Sequence, residues 1–321
     1  MTTPQTQLAH SLLGLEEDGP HVVAIGGGHG LAQVLAAVQA YAGEITAVVS
    51  VADDGGSSGR LIDGIDIPPP GDVRKALLAL ADPSLLSELF AYRFDAADVS
   101  GHSLGNLLLA AIADLTGDFT HALEVAADLL GAHGRVLPAA GERKTLEAVV
   151  DGRVVRGQAS ISHAPGRIES IRLLPEGGEP HREVIEAIGI ADQVVLAPGS
   201  LYTSLVAALM APGVADAVNT TRAPVVWVSN LCTQIEETVG LDGVAHLAAL
   251  EDVGVHSGGT IVLDRGGFPV PDGIERVTID MVEALEYGWA LCEADVAVPD
   301  AEWPMHDPIR LGRVLADFAS H

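Results

Sequence analysis

Three loops rich in glycine or serine follow predicted strands, and the first has the composition of a phosphate-binding turn. Residues 26–30 read Gly-Gly-Gly-His-Gly and lead into a predicted helix. Glycines here let backbone N–H groups approach a phosphate, and a helix start adds unpaired donors and partial positive charge. The loop lacks the Lys-Ser/Thr of a P-loop, and Leu31 replaces the third glycine of a dinucleotide fingerprint. A tight turn without a ligand is therefore the alternative. The candidate contacts are Gly26, Gly27, Gly28, His29 and Gly30.

Two adjacent acids follow the second predicted strand, within a loop of small and polar residues. Residues 52–60 read Ala-Asp-Asp-Gly-Gly-Ser-Ser-Gly-Arg. Paired carboxylates can hold Mg²⁺ against phosphate oxygens while hydroxyls and amides receive the anion. An acid at this strand end can instead accept hydrogen bonds from a ribose, and a surface loop without a ligand is the remaining interpretation. The candidates are Asp53, Asp54, Gly55, Gly56, Ser57 and Ser58.

Three further segments place small or polar residues at the start of a predicted helix. In residues 68–75, Asp72 is predicted as the N-cap and Arg74 as an anion contact. Each segment alone is typical of an ordinary helix cap, but parallel strands bring their carboxyl ends to one edge of a sheet. Asn230 follows a predicted strand and is either a base or sugar contact or a turn residue. The other two segments contribute His102, Ser103, Asn106, Gly199 and Ser200.

The remaining motifs exclude several kinds of chemistry. The sequence has no HExxH and no Cys/His cluster, so zinc chemistry has no support. No catalytic residue is predicted. The Glu236–Glu237 pair, Asp295 and Asp300 are predicted to lie at the solvated surface, and Cys232 and Cys292 are predicted to be buried thiols.

Composition limits the partners of the chain. Its 321 residues are 48% hydrophobic, and 17 basic against 44 acidic residues give a net charge of −27. Nucleic acids are bound by Lys and Arg, so this balance disfavours a nucleic-acid partner. The longest uncharged run contains two Pro-Gly pairs, which disfavours membrane insertion. The N-terminal sequence lacks the pattern of a signal peptide, and we expect a cytoplasmic protein.

Alternating elements must position these loops. Short β-branched runs alternate with Ala/Leu-rich stretches of helical spacing, which predicts an α/β fold with a doubly wound, mostly parallel sheet. Predicted strands cover residues 21–25, 46–51, 193–197, 224–228 and 260–263. An Asp-Gly pair between two apolar runs predicts a small antiparallel β-hairpin insertion at about residues 145–175. We expect residues 1–20 to be an N-terminal tail and residues 21–321 to form one Rossmann-like domain.

Five of these motifs together resemble the YvcK-like gluconeogenesis factor family, whose superfamily includes CofD, the 2-phospho-L-lactate transferase. The resemblance runs in order from about residue 21 to about residue 310. It implies a Rossmann-like fold and a bacterial protein needed for normal cell shape during growth on gluconeogenic carbon sources. The motifs are residues 26–30, 52–60, 69–74, 101–106 and 198–204.

The resemblance also implies a ligand. The expected partner is a UDP-sugar such as UDP-N-acetylglucosamine, or a related nucleotide diphosphate, with no required cofactor and no established turnover. It implies diphosphate contacts at Gly27, Gly28, Gly30 and the Gly199-Ser200 loop, with the Asp53–Ser58 loop and Asn230 near the sugar and nucleoside. A homo-oligomer and regulatory protein partners are further expectations.

Three positions depart from the family pattern. His29 stands where the family usually has a small threonine, and Met305 precedes the His306–Asp307 pair where the family often has Arg. The stretch between residues 263 and 276 is short for the family. These departures affect the nucleotide contacts expected from the C-terminal end of the chain. Arg310 or Arg313 can take the place of the missing arginine.

Two enzymatic alternatives remain. A CofD-like transferase would move a phospholactyl group from a nucleotide diphosphate donor to a deazaflavin, with Mg²⁺ held by Asp53 and Asp54. An NAD-dependent oxidoreductase is disfavoured by the incomplete glycine fingerprint.

Overall fold

The structure, a computed structural model, describes residues 19–52, 67–235, 237–256 and 258–319. Its strands are β1 (His21–Gly26), β2 (Glu44–Val49), β3 (Arg135–Pro138), β4 (Thr145–Val150), β5 (Arg153–Arg156), β6 (Ile168–Leu174), β7 (Gln193–Leu196), β8 (Val225–Val228), β9 (Thr260–Asp264) and β10 (Ala290–Ala294). Its helices are α1 (Gly28–Val38), α2 (Pro70–Leu80), α3 (Leu85–Ala91), α4 (Leu104–Thr116), α5 (Phe119–Leu130), α6 (Gln158–Ser162), α7 (Arg182–Ile190), α8 (Val214–Thr220), α9 (Gly243–Asp252), α10 (Met281–Glu286) and α11 (Pro308–Ala316). A π-helix spans Leu201–Val206 and continues into a short α-helical turn, Ala207–Leu209, and a 3₁₀ helix spans Ala97–Val99.

Seven strands form one parallel sheet in the order β10-β9-β8-β7-β1-β2-β3. From β1 the chain adds β2 and β3 on one side, and it later adds β7 to β10 on the other side. The order therefore reverses between β1 and β7, which pair in parallel with Ile25 opposite Leu196. In open α/β sheets, ligands bind outside the carboxyl ends of the strands at such a switch point. The predicted doubly wound, mostly parallel sheet is confirmed.

Burial on both faces explains why the central strands are apolar throughout. All six residues of β1 are buried. Val23 and Ile25 pack into the core on one side of the sheet, and Val22 and Ala24 pack into the core on the other side. This alternation follows from the two-residue period of a strand. Helices cover both faces, as a parallel sheet requires.

A small antiparallel sheet in the order β5-β4-β6 confirms the predicted insertion. The β4–β5 turn is formed by Asp151 and Gly152, with φ angles of 44° and 73°. Positive φ at both positions is the requirement of a type I′ turn, which Asp-Gly satisfies. The apolar face of this sheet packs against Tyr202 and Ala207, in and directly after the π-helix.

Two strands of the main sheet carried no clear sequence signal. β3 has four residues, and β10 lies at the edge of the sheet with none of its five residues fully buried. A short strand or a half-exposed edge strand needs few apolar residues, so its pattern is weak.

The predicted burial of the two thiols holds for Cys232 only. Cys232 and Cys292 are both free, but only Cys232 is buried and Cys292 is partly exposed.

In the described part of the chain, no one helix is both long and apolar enough to cross a bilayer. One bent pair, Leu201–Leu209 with Val214–Thr220, meets the length and composition test.

A polar bridge joins the centre of the sheet to the last helix. The Gln193 side chain is fully buried, and its Nε2 donates to the Leu315 carbonyl at 2.8 Å. Its Oε1 accepts a hydrogen bond from the Tyr41 hydroxyl, which follows α1. Burial raises the pKa of Tyr41, so the hydroxyl stays protonated as a donor. This bridge ties β7, the α1–β2 connection and α11 together.

We expect Tyr41→Phe to lower the free energy of unfolding by about 1–3 kcal/mol, because Gln193 Oε1 is left buried without a donor. Urea denaturation followed by circular dichroism measures this loss. The matched control is Tyr92→Phe, whose ring is 51% exposed and should change stability by less than about 0.5 kcal/mol. Equal effects of the two variants would contradict the bridge.

Candidate functional site

Two glycine-containing loops meet at the switch point. The first joins β1 to α1, and the second joins β7 to the π-helix. A Cβ atom built on Gly30 would lie 1.9 Å from the Pro198 carbonyl oxygen, so only glycine allows this approach. The prediction that the loops of residues 26–30 and 198–204 converge at one edge of the sheet is confirmed for their backbones.

A carboxylate already occupies part of the α1 N-terminus. The Gly28 N–H donates to Asp72 Oδ2 at 2.9 Å, and Lys75 Nζ donates to Asp72 Oδ1 at 2.9 Å. The predicted N-cap role of Asp72 is wrong, because α2 is capped at Pro69 and Asp72 lies in its first turn. Pro69 leads the chain into α2 in an extended conformation, which places the cap three residues before Asp72 and frees the Asp72 carboxylate to reach α1.

Two amide donors of the α1 first turn remain for a ligand. The Leu31 N–H donates within the helix start to Gly27, and the Gly28 N–H is taken by Asp72. The N–H groups of His29 and Gly30 find no acceptor in the part of the chain that the structure describes. The α1 dipole adds partial positive charge at this position, so the pair can receive an anionic oxygen.

Asn230 braces the second loop. Its Oδ1 accepts a hydrogen bond from the Gly199 N–H at 2.7 Å, and its Nδ2 donates to the Gly199 carbonyl at 2.8 Å. This reciprocal pair holds the end of β8 against the end of β7. The predicted sugar or nucleoside contact of Asn230 stays a prediction, and its geometry assigns it first to positioning Gly199.

A second carboxylate caps the π-helix. Glu237 Oε2 accepts hydrogen bonds from the N–H groups of Tyr202 and Thr203 at 3.1 and 3.4 Å. Glu237 Oε1 accepts hydrogen bonds from the Thr203 hydroxyl and from Ser162 Oγ, the latter at 3.3 Å. The predicted solvated position of Glu237 is therefore wrong, and Glu236 lies outside the described residues. Burial raises the pKa of Glu237, and its hydrogen bonds oppose that shift.

Ser200 begins the π-helix and contributes through its backbone. Its carbonyl accepts hydrogen bonds from the N–H groups of both Ser204 and Leu205 at 3.1 Å. One carbonyl serving two donors is how the helix opens with the wider π turn. The predicted ligand contacts of Gly199 and Ser200 stay predictions, at a loop edge that the structure places beside Gly30.

Arg74, Ser103 and Asn106 form a buried cluster between α2 and α4. Arg74 Nε donates to Asn106 Oδ1 at 2.8 Å and Arg74 Nη1 donates to the Phe90 carbonyl at 3.3 Å. Ser103 caps α4, since its Oγ accepts from the Asn106 N–H. Burial lowers the pKa of Arg74. The structure therefore gives these candidates a scaffolding position, and their ligand contacts stay predictions.

His102 lies next to this cluster, directly before the cap of α4. Its backbone N–H donates to the Val99 carbonyl, and its carbonyl accepts from the Phe94 N–H. It does not belong to the described residues that line the cavity at the switch point. A role of His102 as an acid, a base or a ligand contact stays a prediction.

A cavity of about 580 Å³ opens beside the two loops. Among the described residues, its wall carries no Lys, Arg, Asp or Glu. The residues that line it are His29, Gly30, Gln33, Pro198, Gly199, Asn230, Leu231, Cys232, Thr233, Gln234, Ile235, Ile274, Trp303, Pro304, Met305 and His306. Its volume is that of an ordinary small-molecule site.

His306 is the buried titratable group of this wall. Its side chain is 4% exposed, and its backbone N–H donates to Gln33 Oε1 at 3.2 Å. Burial lowers the pKa of His306 to about 4, while Asp264 and a hydrogen bond to the Ser229 backbone oppose the shift. The ring is therefore neutral at physiological pH. Gln33, Gln234 and His306 carried no sequence signal of a site, because distant segments bring them together.

Comparison with known proteins places the chain in a family. The sequence model described as 2-phospho-L-lactate transferase CofD matches residues 22–282. The chain belongs to the CofD family. It is 44% identical over 260 residues to the gluconeogenesis factor of Halalkalibacterium halodurans, covering 79% of this chain and 80% of that protein. It is 38% identical over 312 residues to the gluconeogenesis factor of Bacillus subtilis, covering 93% and 98%.

A solved structure shares the fold of this CofD-family protein. The crystal structure of a UPF0052 family member from Bacillus halodurans superposes with a TM-score of 0.86 and 36% sequence identity. The match covers 93% of this chain and 99% of that protein. These similarities confirm the resemblance that the five motifs indicated.

Two family departures lie on the cavity wall. His29 is largely exposed at the α1 N-terminus; partial desolvation of its ring and the charge of Lys75 lower its pKa, while Asp72 raises it. Met305 is 43% exposed and contributes a thioether where the family often has a guanidinium. The wall of this CofD-family protein is thereby neutral and partly apolar in its described residues.

The possible metal site cannot be placed on this geometry. The predicted Mg²⁺ ligands Asp53 and Asp54, and with them Gly55, Gly56, Ser57 and Ser58, lie outside the described residues. Among the residues that are described, no three His, Cys, Asp or Glu side chains are grouped as a metal site would require. Mg²⁺ binding stays a prediction for the 53–58 loop.

We expect Gly30→Ala to lower the free energy of unfolding by about 1–3 kcal/mol, because its methyl group cannot fit against the Pro198 carbonyl. The matched control is Gly189→Ala in α7, where a Cβ atom meets nothing within 4 Å. The control should gain about 0.5–1 kcal/mol from helix propensity. Chemical denaturation measures both, and a stabilised Gly30→Ala protein would contradict the loop contact.

A pH-dependent loss of stability follows from buried His306. Unfolding restores its ordinary pKa of 6.5, so between about pH 6.5 and 4 the unfolded state binds a proton that the folded state lacks. Stability is therefore lost as the pH falls through this window, by about 2 kcal/mol between pH 7.5 and 5. The stability difference between wild type and His306→Asn, measured by urea denaturation, should shrink by that amount at pH 5. A pH-independent difference would refute the assignment.

Proposed function

We propose that this protein is a gluconeogenesis factor that binds a UDP-sugar, such as UDP-N-acetylglucosamine, and acts as a regulator rather than as an enzyme. The observation that carries the proposal is the contact of the 26–30 and 198–204 loops at the switch point, beside a cavity of about 580 Å³. The names of its relatives support the link to gluconeogenesis.

Two features of the site suit a nucleotide sugar. The N–H groups of His29 and Gly30, which have no acceptor among the described residues, lie at the positive end of the α1 dipole and suit one phosphate oxygen of the diphosphate. The adjoining cavity, neutral in its described residues, suits uncharged sugar and nucleoside rings. Lys75 stands nearby as a cation, bound to Asp72.

In the regulatory proposal, ligand binding reports the supply of an envelope precursor to cell-wall synthesis. The wall offers an ordered set of backbone amides and side-chain amides, which is sufficient for binding. Such a protein would act in the bacterial cytoplasm, through protein partners or as a homo-oligomer, and would maintain cell shape during growth on gluconeogenic carbon sources.

A CofD-like transferase is the second candidate, and the match to the CofD family favours it. In that reaction Asp53 and Asp54 would hold Mg²⁺, which would neutralise charge on the phosphoryl oxygens of the nucleotide donor. Turnover of a lactyl nucleotide with a deazaflavin acceptor in the presence of Mg²⁺ would establish the transferase and exclude a purely regulatory role.

We expect UDP-N-acetylglucosamine to raise the thermal stability of the protein. A ligand at a hundred times its Kd stabilises the folded state by about 2.7 kcal/mol, which differential scanning fluorimetry detects as a higher Tm. UDP-glucose and UDP should give smaller or equal shifts, and GDP and NAD none. Gly189→Ala should keep the response and Gly30→Ala should lose it.

Absence of a shift with every uridine ligand would reject the proposed function. A response to NAD alone would favour the dinucleotide alternative. Isothermal titration at two salt concentrations separates specific binding from weak electrostatic association, because the latter weakens as salt rises.

A further inference from the structure

Two buried side-chain atoms on the cavity wall have no hydrogen-bond partner among the described residues. They are His306 Nε2 and Gln234 Oε1, and both residues line the cavity at the switch point. Buried polar atoms are nearly always hydrogen-bonded, because an unpaired one costs free energy comparable to a lost hydrogen bond. Two such atoms on one wall are therefore a feature that calls for a partner.

The His306 ring is held as an acceptor. A backbone hydrogen bond to Ser229 raises the pKa of His306, which is the effect of a ring N–H donating to a carbonyl, and Nε2 is the unpaired nitrogen, so we assign the proton to Nδ1. Nε2 then carries a lone pair. The backbone is fixed from the other side, since the His306 N–H donates to Gln33. A neutral, oriented imidazole thus presents a lone pair for which the described part of the chain offers no donor.

Gln234 is also fixed at its backbone. Its N–H donates to Thr238 Oγ1 at 2.8 Å, and its carbonyl accepts from the Thr238 N–H at 2.9 Å. The side chain is therefore carried on a closed turn, and its amide oxygen has no partner in the part of the chain that the structure describes.

The position on the cavity wall distinguishes this pair from other unpaired atoms. His246 Nε2 is also buried and unpartnered, but His246 stacks on Trp227 with ring centroids 6.3 Å apart and lines neither described cavity. His246 is thus a packed core residue. Among the described residues with an unpaired buried atom, His306 and Gln234 are the two that line this cavity.

The chemistry of the missing partner is constrained. Phosphate oxygens at neutral pH carry lone pairs and charge, and they would repel two acceptors. We propose that His306 and Gln234 form a subsite that accepts hydrogen bonds from the hydroxyl groups of a ligand sugar ring, with the phosphates directed away toward the α1 N-terminus. This inference rests on the proposed function, which supplies the nucleotide sugar.

The proposed orientation agrees with the rest of the wall. The anion donors at His29 and Gly30 belong to the same wall, whose described residues include no Lys or Arg. Hydroxyls of the ribose or of the hexose would satisfy the same acceptors, so ligands lacking each set distinguish the two sources. A nucleobase N–H is the competing donor.

Calorimetric titration of the full chain with defined ligands tests the subsite. The ligands are UDP-N-acetylglucosamine, UDP, 2′,3′-dideoxy-UDP and N3-methyl-UDP. In His306→Asn the side-chain amide can still reach Ser229 but the Nε2 acceptor is gone, whereas in His306→Gln an acceptor is retained near the Nε2 position. We expect His306→Asn and Gln234→Leu each to weaken the binding of UDP-N-acetylglucosamine about 10-fold, and His306→Gln to keep most of the wild-type affinity.

The matched control is His163→Asn. His163 is exposed, its Nδ1 contacts the Ala159 carbonyl at 2.6 Å, and it lies outside the cavity, so affinity should not change. If the subsite binds the ribose, dideoxy-UDP should bind wild type about 10-fold more weakly than UDP, and His306→Asn should not change its affinity further. If the subsite binds the hexose, His306→Asn should leave the affinity for UDP itself unchanged. Either pattern supports the proposal.

Two results overturn the proposal. One is an equal loss for every ligand in the His306 and Gln234 variants, including dideoxy-UDP. The other is that His306→Asn leaves the affinity unchanged for N3-methyl-UDP only, which would mean that the two acceptors bind the base.

The proposed function can fail separately. If wild type binds no uridine ligand, ¹⁵N NMR of the histidine rings decides the subsite, with ribose 5-phosphate and N-acetylglucosamine 1-phosphate as probes. A hydrogen bond from a ligand hydroxyl group to His306 Nε2 shifts the resonance of that nitrogen, and this result supports the subsite for another sugar phosphate. An unchanged resonance at the highest soluble probe concentration overturns it.

Discussion

The close approach of two backbone loops at the switch point is the constraint on which the site depends. Gly30 lies so near the Pro198 carbonyl that a methyl group would overlap it. The approach follows from the parallel pairing of β1 with β7, which ends both strands at the same height. Because the loops touch, the α1 N-terminus, the π-helix and the end of β8 surround one opening, and the cavity forms where they diverge.

Charge is distributed unevenly around this opening. Asp72 takes an amide of α1 and Glu237 takes two amides of the π-helix, so protein carboxylates already occupy positions that an anion would otherwise use. An acidic chain thereby stabilises its helix starts while leaving a narrow set of donors at His29 and Gly30. Beyond them the described cavity wall is neutral, with acceptors that favour hydroxyl groups. The site thus combines anion donors with an uncharged wall in its described residues.

Family membership specifies the scaffold of this protein, whereas the side chains of the cavity wall decide which ligand fits. The sheet order and the glycine loops belong to a scaffold similar over nearly the whole chain to a UPF0052 family structure. Met305 and His29 lie on the wall itself, where a change of side chain alters what the cavity can hold without altering the scaffold. Fold and ligand preference can therefore diverge within the family.

The sequence alone determined the α/β class, the parallel sheet, the Asp151–Gly152 turn and the glycine loops, because strand period and positive-φ turns depend on a few adjacent residues. It did not determine that Arg74 joins two helices, that Glu237 is a buried cap, or that Asp72 reaches across to Gly28. Nor did it bring Gln234 and His306 to one wall. Those outcomes depend on which distant segments meet, since burial and the partners of a polar group are properties of the assembled fold and not of local order along the chain.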